Sequence, residues 1–434
     1  MRGNKVKEGG RRTVSVVGRL LLAFSLVLAL PAISAGEEGR SSGGWERLRE
    51  IERLMTGHTD RKEEARILEI LRSATAGELN YVLQRVDLDA LLSDLDQRAF
   101  GPDRCEEFLS LLARSRLTDL SIPARSRLVG ALQRGYTGSL ETVAIGDIFC
   151  GTPGRALTDL KNRIEAGGDD DDLQKLIYSD IDDNRIRARI LSHIAGEAAS
   201  SGCGEAKVLS DIDDTFCAMV NDGRYPNGTV YPGVIQLYQE LDLGPQKRPG
   251  RAGDLVFVTA RPGDRTGVVE GITQRMLRRK GIANATVLTG DLVSLLSHQR
   301  MAEKKLDNVL QYRRLFPEYT LVFIGDSGQG DILFGRMLRE RFKGAVKAVL
   351  IHDVVATPAR RRKELQEEGI ILFDTYVGAA FRAFRLCLIS RAGLLRTRDA
   401  AVSELREIRF GSGTARKARE AELRRDSARI DRNP

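Results

Sequence analysis

The run Val208-Leu209-Ser210-Asp211-Ile212-Asp213-Asp214-Thr215 constrains this chain more than any other segment. Its apolar start reads as a buried parallel strand. It ends in two carboxylates two residues apart, followed by a threonine. Open α/β sheets hold their ligands beyond the carboxyl ends of the strands. Asp211 and Asp213 therefore stand where one carboxylate can be a nucleophile and the other a general acid and base. The bland alternative is a strand-to-turn cap. The chain supplies a control, because Ser179-Asp180-Ile181-Asp182-Asp183 repeats Ser210 to Asp214 in charged, helix-favouring surroundings. There the acids read as a helix–turn–helix junction capping a helix from about Asn184 to Ser200.

Later segments separate the two copies. Leu255 to Val258 is a second apolar run, ending in the hydroxyl of Thr259, and Leu321 to Ile324 leads into Gly325-Asp326 and an acidic loop that reaches Asp331. Between them Met301 to Tyr312 reads as a helix carrying Lys304 and Lys305, which point about 100° apart. Strands near 207–210, 255–259, 286–288, 321–324, 346–351 and 371–373 alternate with helices, which predicts a parallel, doubly wound sheet. Asp222-Gly223 and Asn227-Gly228 are turn dipeptides. They predict a hairpin flap over the site rather than a large cap domain.

In this order, Asp211-x-Asp213-x-Thr215, Thr259, a lysine and Gly325-Asp326…Asp331 resemble the four-part pattern of the haloacid dehalogenase (HAD) superfamily of phosphohydrolases. Thr259-Ala260-Arg261-Pro262, and Phe316-Pro317 ahead of Ile324-Gly325-Asp326-Ser327-Gly328-Gln329, narrow the likeness. They resemble the catalytic domain of the actin-patch-protein type of phosphatidate phosphatase, which is related to the lipins. The resemblance spans roughly Ala206 to Ala380. It implies a HAD-like Rossmannoid sheet with helices on both faces. It also implies Mg²⁺ as cofactor and hydrolysis of a phosphomonoester, such as phosphatidate, through an aspartyl-phosphate.

On this likeness Asp211 is the nucleophile and a metal ligand. Asp213 is the acid and base, binding the metal through its carbonyl. Thr259 holds phosphoryl oxygens. Lys305, favoured over Lys304 by its spacing to Phe316-Pro317, stabilises charge. Asp326 is a metal ligand, and Asp331 is a further ligand or the N-cap of a helix from Ile332. One departure is that Gly330-Asp331-Ile332 stands where many members have an Asp-Pro-Glu-like segment. The acid is kept and the proline lost. Two other readings stay open: a phosphatase for a soluble or protein-bound phosphomonoester, and a non-catalytic phosphatidate-binding module.

The net charge of +8 is concentrated at the ends. Residues 1–35 hold six basic and one acidic residue and residues 409–434 eight and four, so the remainder carries −1. A nearly neutral body excludes general nucleic-acid binding. Six basic residues precede the apolar run Leu20 to Leu30, and Pro31 to Ala35 follow it. That is the layout of a signal peptide cleaved after Ala35, implying export, with an uncleaved membrane anchor as the alternative.

Residues 36–44 read as a linker, 45–201 as an α-helical domain, 202–395 as the phosphatase domain, and 396–434 as a charged tail, helical and then disordered beyond about Ser412. Gly167 to Asp172 is an acidic loop. The five cysteines have no metal-ligand spacing, and a Cys203–Cys217 disulfide is one possible pairing. The basic run Arg360-Arg361-Arg362-Lys363 and the basic tail suit peripheral contact with anionic head groups. Tyr225 and Tyr231 are expected exposed beside them.

Overall fold

A computed structural model describes residues 42–432 apart from 58, 96–103, 135–136, 166–172, 201–204, 244–254, 263–267, 283–285, 291–297 and 329. The leader, most of the linker, the 167–172 acidic loop and Cys203 therefore lie outside the described residues. Ser42–Pro434 forms one compact unit.

Its first part is helical: α1 (Ser42–Leu54), α2 (Arg61–Ser73), α3 (Ala76–Leu83), α4 (Leu88–Leu95), α5 (Arg104–Ser110), α6 (Ile122–Arg134), α7 (Ser139–Cys150), α8 (Gly154–Glu165), the short α9 (Leu173–Lys175) and α10 (Asn184–Ser200). Capping chemistry sets several starts. Asp60 with Glu63, and Thr75 with Glu78, form reciprocal capping boxes at α2 and α3, each satisfying orphan amides of the first turn. The echoed pentapeptide behaves the same way. Asp183 Oδ1 accepts from the amides of Arg185 and Ile186 at 2.7 and 3.3 Å, capping α10.

The second part is a parallel six-stranded sheet: β1 (Ala206–Ser210), β2 (Leu255–Pro262), β3 (Thr286–Gly290), β4 (Thr320–Asp326), β5 (Val346–His352) and β6 (Ile370–Phe373). The strand order is 3-2-1-4-5-6. The connecting helices are α11 (Val234–Leu243), α12 (Val268–Arg279), α13 (His298–Leu315), α14 (Asp331–Arg341) and α15 (Ala359–Glu367). This is the HAD-like Rossmannoid arrangement expected from the alternation of strands and helices. Side chains of a strand alternate between faces, and the core divides accordingly. Leu209, Leu321, Phe323, Val349 and Ile351 join one cluster, while Val208, Val322, Ile324, Ala348 and Leu350 join the other. The order reverses between β1 and β4, where Asp211 N–H still donates to Ile324 O at 2.9 Å. The two strand ends beside this switch point carry Asp211 and Asp326.

The helical part shares the first cluster with the sheet. Lys161 of α8 and Glu318, just after α13, pair at 2.7 Å with side chains only 2% exposed. Thr158 and the Leu315 carbonyl complete their bonding. Nearby, the Lys207 ammonium of β1 donates to Asn162 at 2.7 Å and lies 4.0 Å from the centre of the Phe316 ring.

The tail differs from expectation. Residues after β6 form α16 (Tyr376–Arg385), α17 (Arg391–Glu407) and α18 (Gly413–Asp431). α18 buries Leu423 and Ile430. It is tied to α16 by Thr375, which donates to Asp426 at 2.7 Å. Its high charge hid two core positions a helical turn or two apart. Among the described residues no helix is long and apolar enough to cross a membrane.

The Lys161–Glu318 pair should behave as a buried charge pair. Lys161→Met, which strands the Glu318 carboxylate, should cost about 3–5 kcal/mol in urea unfolding. Lys161→Met with Glu318→Leu should recover at least about half of that.

Candidate active site

Three carboxylates meet at the switch point. Asp211 follows β1, Asp326 ends β4, and Asp331 opens α14, where a negative charge suits the helix dipole. One oxygen of each lies within 4.8 Å of the others, and all three side chains are buried. Lys305, 3% exposed on α13, donates to Asp211 Oδ1 at 2.8 Å and to Asp331 Oδ1 at 2.6 Å. Asp331 Oδ2 accepts from the Asp326 amide at 3.2 Å. This close approach requires a glycine at 325, since a Cβ there would lie 2.5 Å from Asp331 Oδ2.

Three buried carboxylates face one ammonium, so acidic groups outnumber basic ones in the cluster. Burial pushes the Asp211 carboxyl up to about 7; the Asp331 and Asp213 charges add to this, and Lys305 opposes it. Asp326 is likewise raised, first by burial and then by Asp331 and Asp211. Asp211 Oδ2 and Asp326 Oδ2 are buried without a hydrogen-bond partner, which costs free energy unless something ligates them. An all-oxygen donor set with two orphaned carboxylate oxygens fits a hard cation such as Mg²⁺.

Asp213 lies in the loop beyond β1, is only half-buried, and is near enough for its charge to raise the Asp211 carboxyl. Asp214 turns the other way, through a left-handed backbone at φ 60°, a conformation in which aspartate is enriched. Its carboxylate accepts from the amides of Met219, Val220 and Asn221 at 2.9, 3.0 and 2.6 Å. These belong to the flap, closed at its base by a Cys217–Val230 antiparallel bridge. The backbone of Asp214 is fixed too, because His352 Nδ1 lies 3.2 Å from its carbonyl.

The other ring nitrogen of His352 lies 3.1 Å from the Arg224 guanidinium. A carbonyl only accepts and a guanidinium only donates, so His352 is the neutral Nδ1–H tautomer. Burial, then Arg224, push its pKa down to about 4. Arg224 in turn forks onto Asp222 at 2.8 Å through two nitrogens, and Tyr231 donates to Asp222 at 2.8 Å.

The structure thus brings together Asp211, Lys305, Asp326 and Asp331, with Asp213 at the rim. Thr259 falls on β2 beside β1, but its side chain lies outside the described residues. Lys304 is half-buried and is not among the groups on Asp211 or Asp331. Asp331 is the first residue of its helix and not the cap; Gly330 holds that position. The exposed tyrosines are corrected. Tyr231 is 1% exposed and Tyr225 half-buried, packed edge-on against it at 5.2 Å. Sequence reading missed Asp214, Asp222, Arg224 and His352 as a network. Its one legible sign was the turn at Asp222-Gly223.

Residues 206–353 match the family model described as phosphatidate phosphatase APP1, catalytic domain. That range is about a third of the chain and holds every site residue named above. No curated protein and no solved structure matches the chain.

Two outcomes test the flap anchor. Asp214→Ala should cost about 3 kcal/mol through lost charge-assisted bonds, and limited proteolysis should cut between residues 219 and 228 sooner. The His352 pKa is lower folded than unfolded, so its contribution is full above about pH 6.5 and is lost as pH falls toward about 4. His352→Gln, which keeps one donor and one acceptor, should flatten thermal stability over that window by an amount on the order of 3 kcal/mol.

Proposed function

We propose, on the premise that residues 206–353 form a catalytic domain of the phosphatidate phosphatase type, that the chain is a Mg²⁺-dependent phosphatase. It hydrolyses a phosphomonoester, phosphatidate to diacylglycerol and phosphate, through an aspartyl-phosphate on Asp211. The observation that carries this is the pair of unpartnered oxygens on Asp211 and Asp326, set around a buried lysine at the sheet's switch point. Buried oxygens without a hydrogen bond also occur singly elsewhere, as at Glu422 Oε2; here two fall within one group of three converging carboxylates.

Each residue has a stated task. Asp211 Oδ1 is held by Lys305, which fixes the rotamer of the carboxylate that attacks phosphorus. Attack forms the Asp211–phosphorus bond and breaks the bond to the alcohol oxygen. Asp213, at the half-exposed rim, gives that oxygen a proton. In the second step it takes a proton from the water that releases phosphate. Lys305 counters charge on Asp211 and Asp331, and Thr259 holds phosphoryl oxygens. Asp211, Asp326 and Asp331, with the Asp213 carbonyl, would hold the Mg²⁺. When bound, this ion neutralises the phosphoryl oxygens that otherwise repel a carboxylate.

The flap, clamped by Asp214, limits water at the site. The basic residues ahead of the apolar run Leu20 to Leu30 support a reading in which the protein is exported and acts outside the cytoplasm.

Asp211→Asn should reduce phosphate release from phosphatidate in mixed micelles to background while thermal stability is retained. Undiminished turnover would overturn the mechanism. Lys305→Met should lower turnover by roughly 10²–10³-fold. EDTA should abolish activity and added Mg²⁺ restore it.

A further inference from the structure

Among the described residues, the large apolar side chains that stand exposed are Trp45, Met219, Val220 and Val355. Single exposed apolar residues are ordinary. These are unusual in position, because three of the four lie on loops fastened to the catalytic carboxylates' neighbours. Met219 and Val220 donate their amides to Asp214, next to Asp213. Val355 donates its amide to Ser327, next to Asp326. The flap and the β4 loop also touch, since a Cβ on Gly328 would lie 3.0 Å from Asn221.

Neither exposure is slack. The Val220 backbone is held by the buried Asp214 carboxylate. The Val355 loop is held by Asp353, which accepts from Thr357 N–H at 3.0 Å and from Ser327 Oγ at 3.1 Å. Val220 is 69% and Val355 52% exposed on these fixed supports.

Positive charge lies beside them. α15 follows β5, so its first turn starts at the same edge of the sheet as the site, four residues beyond Val355. That turn carries Arg360, Arg361 and Lys363, with the Arg360 side chain 92% exposed. Arg360 and Arg361 pair with Glu364 of the same helix at 3.1 and 3.0 Å, but cations at a helix N-terminus oppose the dipole, and the pairing leaves the Arg360 side chain almost wholly in solvent. Arg362 differs, being bound to Asp353 and Asp374. Apolar side chains held outward beside a cluster of cations match the boundary between acyl chains and anionic head groups. A soluble phosphomonoester would need no such rim.

We propose that Met219, Val220 and Val355, with Arg360, Arg361 and Lys363, form the surface by which the mouth of the site docks on an anionic lipid bilayer. The choice of a lipid surface rests on the phosphatidate reading above. The docking itself is testable without catalysis. The chain has a single tryptophan, so Trp45→Phe with Val220→Trp in the full chain puts the one reporter on the flap.

Vesicles of phosphatidylcholine with phosphatidylglycerol, an anionic lipid without a phosphomonoester, should shift its emission to the blue. Brominated acyl chains should quench it, and phosphatidylcholine alone should do neither. Co-sedimentation without quenching, or no binding, would overturn the proposal. Val220→Ser with Val355→Ser should lower turnover of phosphatidate in vesicles about tenfold, with a soluble phosphomonoester turned over as before. Equal turnover in vesicles would also overturn it. If the unsubstituted chain hydrolyses neither substrate, the phosphatase reading fails while the quenching result still decides the docking.

Discussion

A single buried ammonium organises this molecule. Lys305 reaches from α13 to Asp211 after β1 and Asp331 at the head of α14, joining three elements that are distant in sequence. Neither carboxylate would be stable so deep in the core alone, since burial disfavours the charged form. With Lys305 between them they are paired with a cation and fixed in direction. Asp326 then enters the same cluster because Gly325 allows Asp331 to press against the β4 backbone. The three converging carboxylates, with two orphaned oxygens, are a group that could hold a metal ion.

A second network holds the flap and is independent of the first. Asp214 faces away from Asp213 and binds the flap amides, while His352, Arg224, Asp222 and Tyr231 lock its carbonyl and the flap's far side. The chain thus uses adjacent aspartates for opposite purposes. The left-handed backbone at Asp214 turns its carboxylate onto the flap amides. Such a clamp lets apolar side chains remain exposed on a well-ordered loop.

The helical part and the tail give the sheet its support. The Lys161–Glu318 pair and the Lys207–Asn162 bond connect α8 to the strand and turn that flank the site. α18 fastens the other side through Asp426. Both are polar contacts in a buried setting, where a lost partner is costly. The helical part is therefore continuous with the sheet's core.

Strand positions were legible in the sequence because β1, β4 and β5 are apolar on both faces, as a parallel sheet covered by helices demands. The order of Asp211, Asp213, Lys305, Asp326 and Asp331 was legible because it resembles the haloacid dehalogenase pattern, in which an acid follows one strand and ends another, as Asp211 and Asp326 do. The echo at Asp180 to Asp183 showed that five residues alone do not distinguish a site from a cap. Spacing favoured Lys305 over Lys304, and the tertiary structure put Lys305 on the carboxylates, since the choice depends on which face of α13 meets them. Only the tertiary structure revealed Asp214, Arg224 and His352 as one network, because their partners lie up to 138 residues apart. It also turned Tyr231 inward and ordered the charged tail. Local pattern thus determines which strands form and which residues end them; long-range contact decides which charge faces which.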